Sequence, residues 1–149
     1  MYKRQAEAGE EKEKDPGFLK GRRIMLVEDN ELNREIAYEL LSESGLIVDV
    51  AENGQEAIKL LGIRPENYYE LIFMDIQMPV MNGYEATANI RAGESDYWKT
   101  IPVIAMTANV FQEDESRAAE CGMSDYVTKP IDMNVIYSVL EKWLRGQKG

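Results

Sequence analysis

The chain has 149 residues, 44% of them hydrophobic, enough to bury one core without disulfides or a structural metal. Its formal charge is −10; residues 1–21 hold five basic and five acidic side chains, so the whole excess lies in 22–149, and a body this acidic is a poor ligand for nucleic acid. One cysteine, Cys121, and no histidine exclude an internal disulfide framework, histidine metal sites, histidine general-base catalysis and any phosphohistidine relay within the chain.

Residues 1–21 are polar and charged, with Gly9 and the pair Pro16-Gly17, and read as a flexible tail or linker. From there to residue 146 the pattern is that of one domain, followed by a short tail over 147–149. Short apolar runs alternate with amphipathic stretches. The runs are Ile24 to Val27, Leu46 to Ala51, Leu71 to Met74, Ile101 to Met106 and, weakly, Tyr126-Val127.

Between the first two runs, Leu32, Ile36 and Leu40 recur at helical spacing beside Ala37 and Leu41, with Asn30 as N-cap and Gly45 at the C-terminal cap. Further helices are expected over 54–61, 83–92 and 112–121, the last poor in large apolar residues and so loosely packed. A final helix carries Val135, Ile136, Val139, Leu140, Trp143 and Leu144. Cys121 is expected as a small buried residue near a helix end.

Five strands alternating with five helices require parallel strands joined by crossovers. The nearly continuous apolar character of the strands fits a sheet covered on both faces, an α/β three-layer sandwich.

In such sheets the site lies outside the carboxyl ends of the strands. The first run ends in Glu28-Asp29, the third in Asp75 and the fourth in Thr107, while the fifth is followed by Lys129-Pro130. With the flavodoxin-like strand order 2-1-3-4-5, the three carboxylates converge on one small volume, where like charges need a cation. Oxygen donors without histidine or thiolate favour Mg2+, with Mn2+ able to substitute. A strand-end carboxylate can also act as a nucleophile. An aspartyl phosphate forms only where the transferring charge is compensated, and the cation, Lys129 and the Thr107 hydroxyl can all contribute.

Four motifs carry a resemblance. They are Val27-Glu28-Asp29-Asn30, the run from Met74-Asp75 through Pro79 to Asn82-Gly83, Ala105-Met106-Thr107-Ala108-Asn109, and Asp125-Tyr126-Val127-Thr128-Lys129-Pro130. Over residues 23–144 the chain resembles the receiver domain of two-component response regulators. The loop Asp29-Asn30-Glu31-Leu32-Asn33-Arg34 is most similar to receivers attached to hybrid sensor histidine kinases.

The resemblance implies that Asp75 is the phosphoacceptor and that Asp29 and Asp75 ligate Mg2+, with Glu28 acting through a water and the backbone carbonyl of Gln77 completing the protein's share. It implies that Thr107 and Lys129 bind the phosphoryl oxygens, that Lys129-Pro130 is a cis peptide and that Tyr126 is an aromatic switch. Small Ala108 leaves the phosphoryl group accessible. Partners would be a histidine kinase or a histidine phosphotransfer protein, which must supply the histidine this chain lacks.

Such a domain catalyses only its own phosphorylation and dephosphorylation. It is expected in the cytoplasm, without its own membrane span or signal peptide, whether or not its parent is a membrane-anchored kinase; the sequence carries no signal for oligomeric state. Glu28 and Asn82 stand where many members have Asp. A haloacid-dehalogenase-type phosphohydrolase would need a second Asp at Gln77, an unphosphorylated pseudo-receiver would not need all the chemical positions intact, and after Leu144 only five residues remain for a DNA-binding output.

Overall fold

A computed structural model describes residues 17–108 and 115–145. The expected terminal tail over 147–149, residues 1–16, Asn109 and the start of the expected helix over 112–121 lie outside the described residues.

Five strands form one parallel sheet: β1 Arg23–Val27, β2 Ile47–Ala51, β3 Leu71–Asp75, β4 Val103–Thr107 and β5 Asp125–Thr128. Their spatial order is β2-β1-β3-β4-β5, the flavodoxin-like order expected from the sequence. Side chains alternate across the sheet with the period of two that a pleated strand imposes. Ile24, Leu26, Leu71, Phe73, Ile104 and Met106 enter the core on one face, and Met25, Val27, Ile72, Met74 and Val103 enter the core on the other.

The first face is covered by α1 Glu31–Glu43 and α6 Met133–Leu140, the second by α2 Gly54–Ile63 and α3 Gly83–Arg91. A small third cluster of Ile76, Tyr84 and Ala105 meets Ala118 of α5 Glu115–Cys121, a helix with few large apolar residues, as its composition predicts. Cys121 is half-buried at the end of that helix rather than fully enclosed.

The caps account for several boundaries. Asn30 accepts from the Asn33 amide at the start of α1, and Gly45, just past its end, takes φ +102°, a conformation that favours glycine. Asn82 opens α3 with a reciprocal capping box: its side chain accepts from the Glu85 amide at 2.9 Å while the Glu85 carboxylate accepts from the Asn82 amide at 3.0 Å. Asn and Asp cap about equally well, so Asn at 82 retains the capping role of the commoner Asp.

Three features depart from the sequence reading. Six α-helices are described instead of five; the extra one, α4 Asp96–Thr100, is capped by Ser95 and pinned by Tyr97, whose hydroxyl donates to the Tyr69 carbonyl and accepts from the Tyr69 amide, both at 2.9 Å. Five residues are too short to show an apolar period. The last helix leaves α geometry after Leu140 and continues as a π-helical turn over Glu141–Arg145.

The third departure is that the expected tail does not extend to 21. Phe18 and Leu19 are buried in the core of the α1/α6 face. The Phe18 ring lies edge-on to Tyr137 at 6.0 Å, between the guanidinium groups of Arg22 (4.4 Å) and Arg145 (4.1 Å). Arg22 Nε donates to the Phe18 carbonyl at 2.8 Å, and the Gly21 amide to that of Gly45 at 2.9 Å. Two large apolar side chains suffice to hold this strap against the body, even in a polar context.

Candidate functional site

Because all five strands run the same way, their C-terminal ends open on one edge. One cleft of about 280 Å³ there is lined by Glu28, Asp29, Asp75, Gln77, Thr107 and Lys129 together with Asn30, Asn33 and Ala108. The sequence-derived acidic, hydroxyl and ammonium residues are thus brought together; Tyr126 is not among the lining residues and stands 46% exposed on β5.

Glu28, Asp75 and Thr107 are at most 4% exposed, whereas Asp29 is exposed. Lys129 bridges the two buried acids, its Nζ lying 3.0 Å from Glu28 Oε1 and 3.1 Å from Asp75 Oδ1. The other Glu28 oxygen, Oε2, accepts from the Asn30 amide at 3.2 Å. Glutamate in place of the commoner Asp therefore engages Lys129 and the following loop at once. The Lys129–Pro130 peptide is cis, and the Lys129 amide donates to the Thr107 carbonyl at 2.8 Å, tying the β4 and β5 ends together.

Burial pushes the Asp75 carboxyl up to about 7; the charge of Glu28 adds to that rise and Lys129 opposes it. For Lys129 burial works against the charge, but its bonds to Glu28 and Asp75 outweigh burial and hold its pKa above the ordinary value. One ammonium thus incompletely neutralises the cluster.

Carboxylate oxygens of Glu28, Asp29 and Asp75 all lie within 4.8 Å of one another. An all-oxygen donor set of this kind, open to water on one side, fits a hard divalent cation.

Strand β3 leads into a tight loop. The Gly83 amide donates to the Ile76 carbonyl at 2.8 Å, and a Cβ at Gly83 would overlap the Asp75 carbonyl oxygen, so only glycine permits this approach. In the same loop Val80, 75% exposed, holds φ +68°, which a β-branched residue rarely adopts. The Met81 amide spans it to the Pro79 carbonyl at 2.6 Å.

Sequence reasoning assigned no role to Asn33 or Arg34. Both sit on the first turn of α1; Asn33 lines the cleft, and Arg34 Nη1 donates to the carbonyl of Glu28 at 3.0 Å. Their signal was position: polar residues one turn past a strand-end acidic pair.

A parallel α/β sandwich with a buried Asp–Lys pair and two further carboxylates at its strand ends defines a class of acidic, cation-accepting site. The model of the response regulator receiver domain family matches residues 24–141, and the chain belongs to that family, the receiver domains of two-component phosphorelays.

Among curated relatives, hybrid signal transduction histidine kinase L of Dictyostelium discoideum is 34% identical over 99% of this chain, and histidine kinase 3 of Arabidopsis thaliana 37% identical over 87%. The chain spans only 8% and 14% of those proteins' lengths.

Among solved structures, the receiver domain of a sensor histidine kinase from Pseudomonas aeruginosa, with a magnesium ion in its active site cleft, is 34% identical with a TM-score of 0.74, covering 83% of this chain and 97% of that one. The receiver domain of the Saccharomyces cerevisiae response regulator Ssk1, solved with the histidine phosphotransfer protein Ypd1, is 30% identical with a TM-score of 0.74, covering 87% and 92%.

Proposed function

We propose that Asp75 accepts a phosphoryl group from a phosphohistidine on a partner protein, within a receiver domain that is part of a hybrid histidine kinase. The observation that carries this is the placement of Asp75: buried at the end of β3, paired with Lys129 and flanked by Glu28 and Asp29.

In the transfer, a carboxylate oxygen of Asp75 forms a bond to phosphorus as the phosphorus–nitrogen bond breaks, and the electron pair of that bond returns to the imidazole nitrogen of the donor. Lys129, already within bonding distance of Asp75, and the Thr107 hydroxyl donate to the phosphoryl oxygens. Glu28, Asp29, Asp75 and the Gln77 carbonyl would hold Mg2+, for which Mn2+ can substitute; when bound, the ion offsets the negative charge gathered around the phosphoryl group. The domain acts in the cytoplasm; among the described residues no helix is long and apolar enough to cross a membrane.

A protein donor is favoured because the chain has no histidine and because the cleft adjoins a mostly apolar groove of about 310 Å³ lined by Ile36, Ala37, Met106, Pro130 and Ile131, a rim suited to a macromolecular partner. Thr107 also reads the phosphate in this proposal: drawing its hydroxyl toward Asp75 frees space that Tyr126 fills by changing rotamer.

Incubation with a phosphorylated histidine phosphotransfer protein should transfer label to the parent chain and none to Asp75→Asn. Acid-stable, base-labile label on Asp75→Asn would refute the assignment. Thr107→Ala should still accept label but lose most of the amide-shift response over residues 107–127; a full response there would refute the switch.

A further inference from the structure

The first turn of α1 carries a cation where the helix dipole favours an anion. Arg34 lies four residues after the cap Asn30 and its amide donates to the Asn30 carbonyl at 2.8 Å. Its side chain is only 16% exposed, so this charge is neither placed to suit the helix nor left to solvent.

What the guanidinium meets is backbone. Arg34 Nη1 donates to the Glu28 carbonyl at 3.0 Å and reaches that of Asp29 at 3.4 Å. Nη2 stands 3.8 Å from Glu52 Oε2, in the loop that follows β2. The paired register of β1 ends at Val27, so the carbonyls of Glu28 and Asp29 lie past the ladder that aligns the strand.

We propose that Arg34 is a positioning residue: its guanidinium pins the two-residue backbone from which the Glu28 and Asp29 carboxylates project, and thereby sets the donor geometry of the cation site. The inference rests on reading Glu28, Asp29 and Asp75 as that site. A planar, forked cation suits the task, since it can address adjacent carbonyls that a lysine ammonium would meet only as a point charge.

Charge and position make opposite demands here. A guanidinium beside a divalent cation repels it, so removing Arg34 would tighten metal binding if charge alone mattered. If Arg34 holds the loop, its removal lets two mutually repelling carboxylates drift apart and binding weakens. Outer-shell partners of metal ligands typically contribute about 10- to 100-fold in affinity, and support delivered through the backbone belongs at the low end, about tenfold.

The test is Mg2+ titration of the full chain followed by amide shifts in NMR, with thermal melts of each variant alongside. Arg34→Ala should weaken Mg2+ binding about tenfold, Arg34→Lys should weaken it several-fold despite keeping the charge, and Glu52→Gln should leave it unchanged. Equal or tighter binding by Arg34→Ala overturns the proposal, as does a lowered melting temperature with intact affinity. Should Arg34→Ala fold poorly, Arg34→Lys decides: wild-type affinity there overturns it. An Asp29→Ala, Asp75→Ala double variant separates the two layers, because unchanged Mg2+ binding by that protein would remove the cation site itself, whatever Arg34 does.

Discussion

Replacing Asp75 by its uncharged isostere, Asp75→Asn, should make the domain more stable, and by an amount that grows with pH. In the unfolded chain this carboxyl titrates near 3.8, whereas in the fold burial and Glu28 push it up to about 7. Below pH 4 it is protonated in both states and sets no difference between the two proteins. Between pH 4 and 7 the unfolded chain alone releases the proton, so the wild-type protein loses stability as pH rises, and above 7 the loss is complete.

At roughly 1.4 kcal/mol per pH unit, the interval from 3.8 to about 7 corresponds to about 4 kcal/mol. The cleft opens to water, which screens the repulsion, so about half of that, ~2 kcal/mol, is expected at pH 8. For a body of this size that is roughly 6–8 °C in Tm. Thermal melts in EDTA at pH 4 and pH 8 measure it: near-equal Tm values at the lower pH and a higher Tm for Asp75→Asn at the upper. Added Mg2+ should narrow the gap by stabilising the wild type. A pH-independent difference, or a less stable Asp75→Asn at pH 8, would refute the electrostatic account of this site.

Phe18→Ala, which removes the aromatic between Arg22 and Arg145, should cost about 3 kcal/mol in urea unfolding; a loss below about 1 kcal/mol would return the strap to the status of a tail. Gly83→Ala forces a methyl against the Asp75 carbonyl and to 2.9 Å from Ile76 Cα, so it should destabilise by more than about 2 kcal/mol and slow the proposed phosphorylation of Asp75; wild-type behaviour in both would show that the loop after β3 has slack. Val80→Gly should raise stability by up to about 1 kcal/mol, since it relieves a β-branched residue at φ +68°. A lower Tm would show that the side chain supports the loop.

The sheet and the cleft were legible because each rests on a local rule. Continuous apolar runs mark buried parallel strands, and the residues that terminate them necessarily share one edge. What escaped depended on three-dimensional partners. Leu32 and Ile36 mark α1 by their spacing, yet both are more than half exposed, and the face that packs inward is that of Ala37 and Leu41. Helix α4 is stabilised by the hydroxyl of Tyr97 reaching a residue 28 positions away. The placement of Phe18 required knowing that the end of the last helix, 127 residues on, brings Arg145 over its ring.

That strap ties together the two ends of the described chain. Phe18 and Arg145 touch at the edge of the sheet where the strands begin, while Asp75, Thr107 and Lys129 gather at the edge where they finish. Residues 17 and 145 therefore lie on the side of the sheet away from the cleft. A pull applied at either of those positions is resisted first by the Phe18 clasp, before it reaches the strands that hold the acidic cleft.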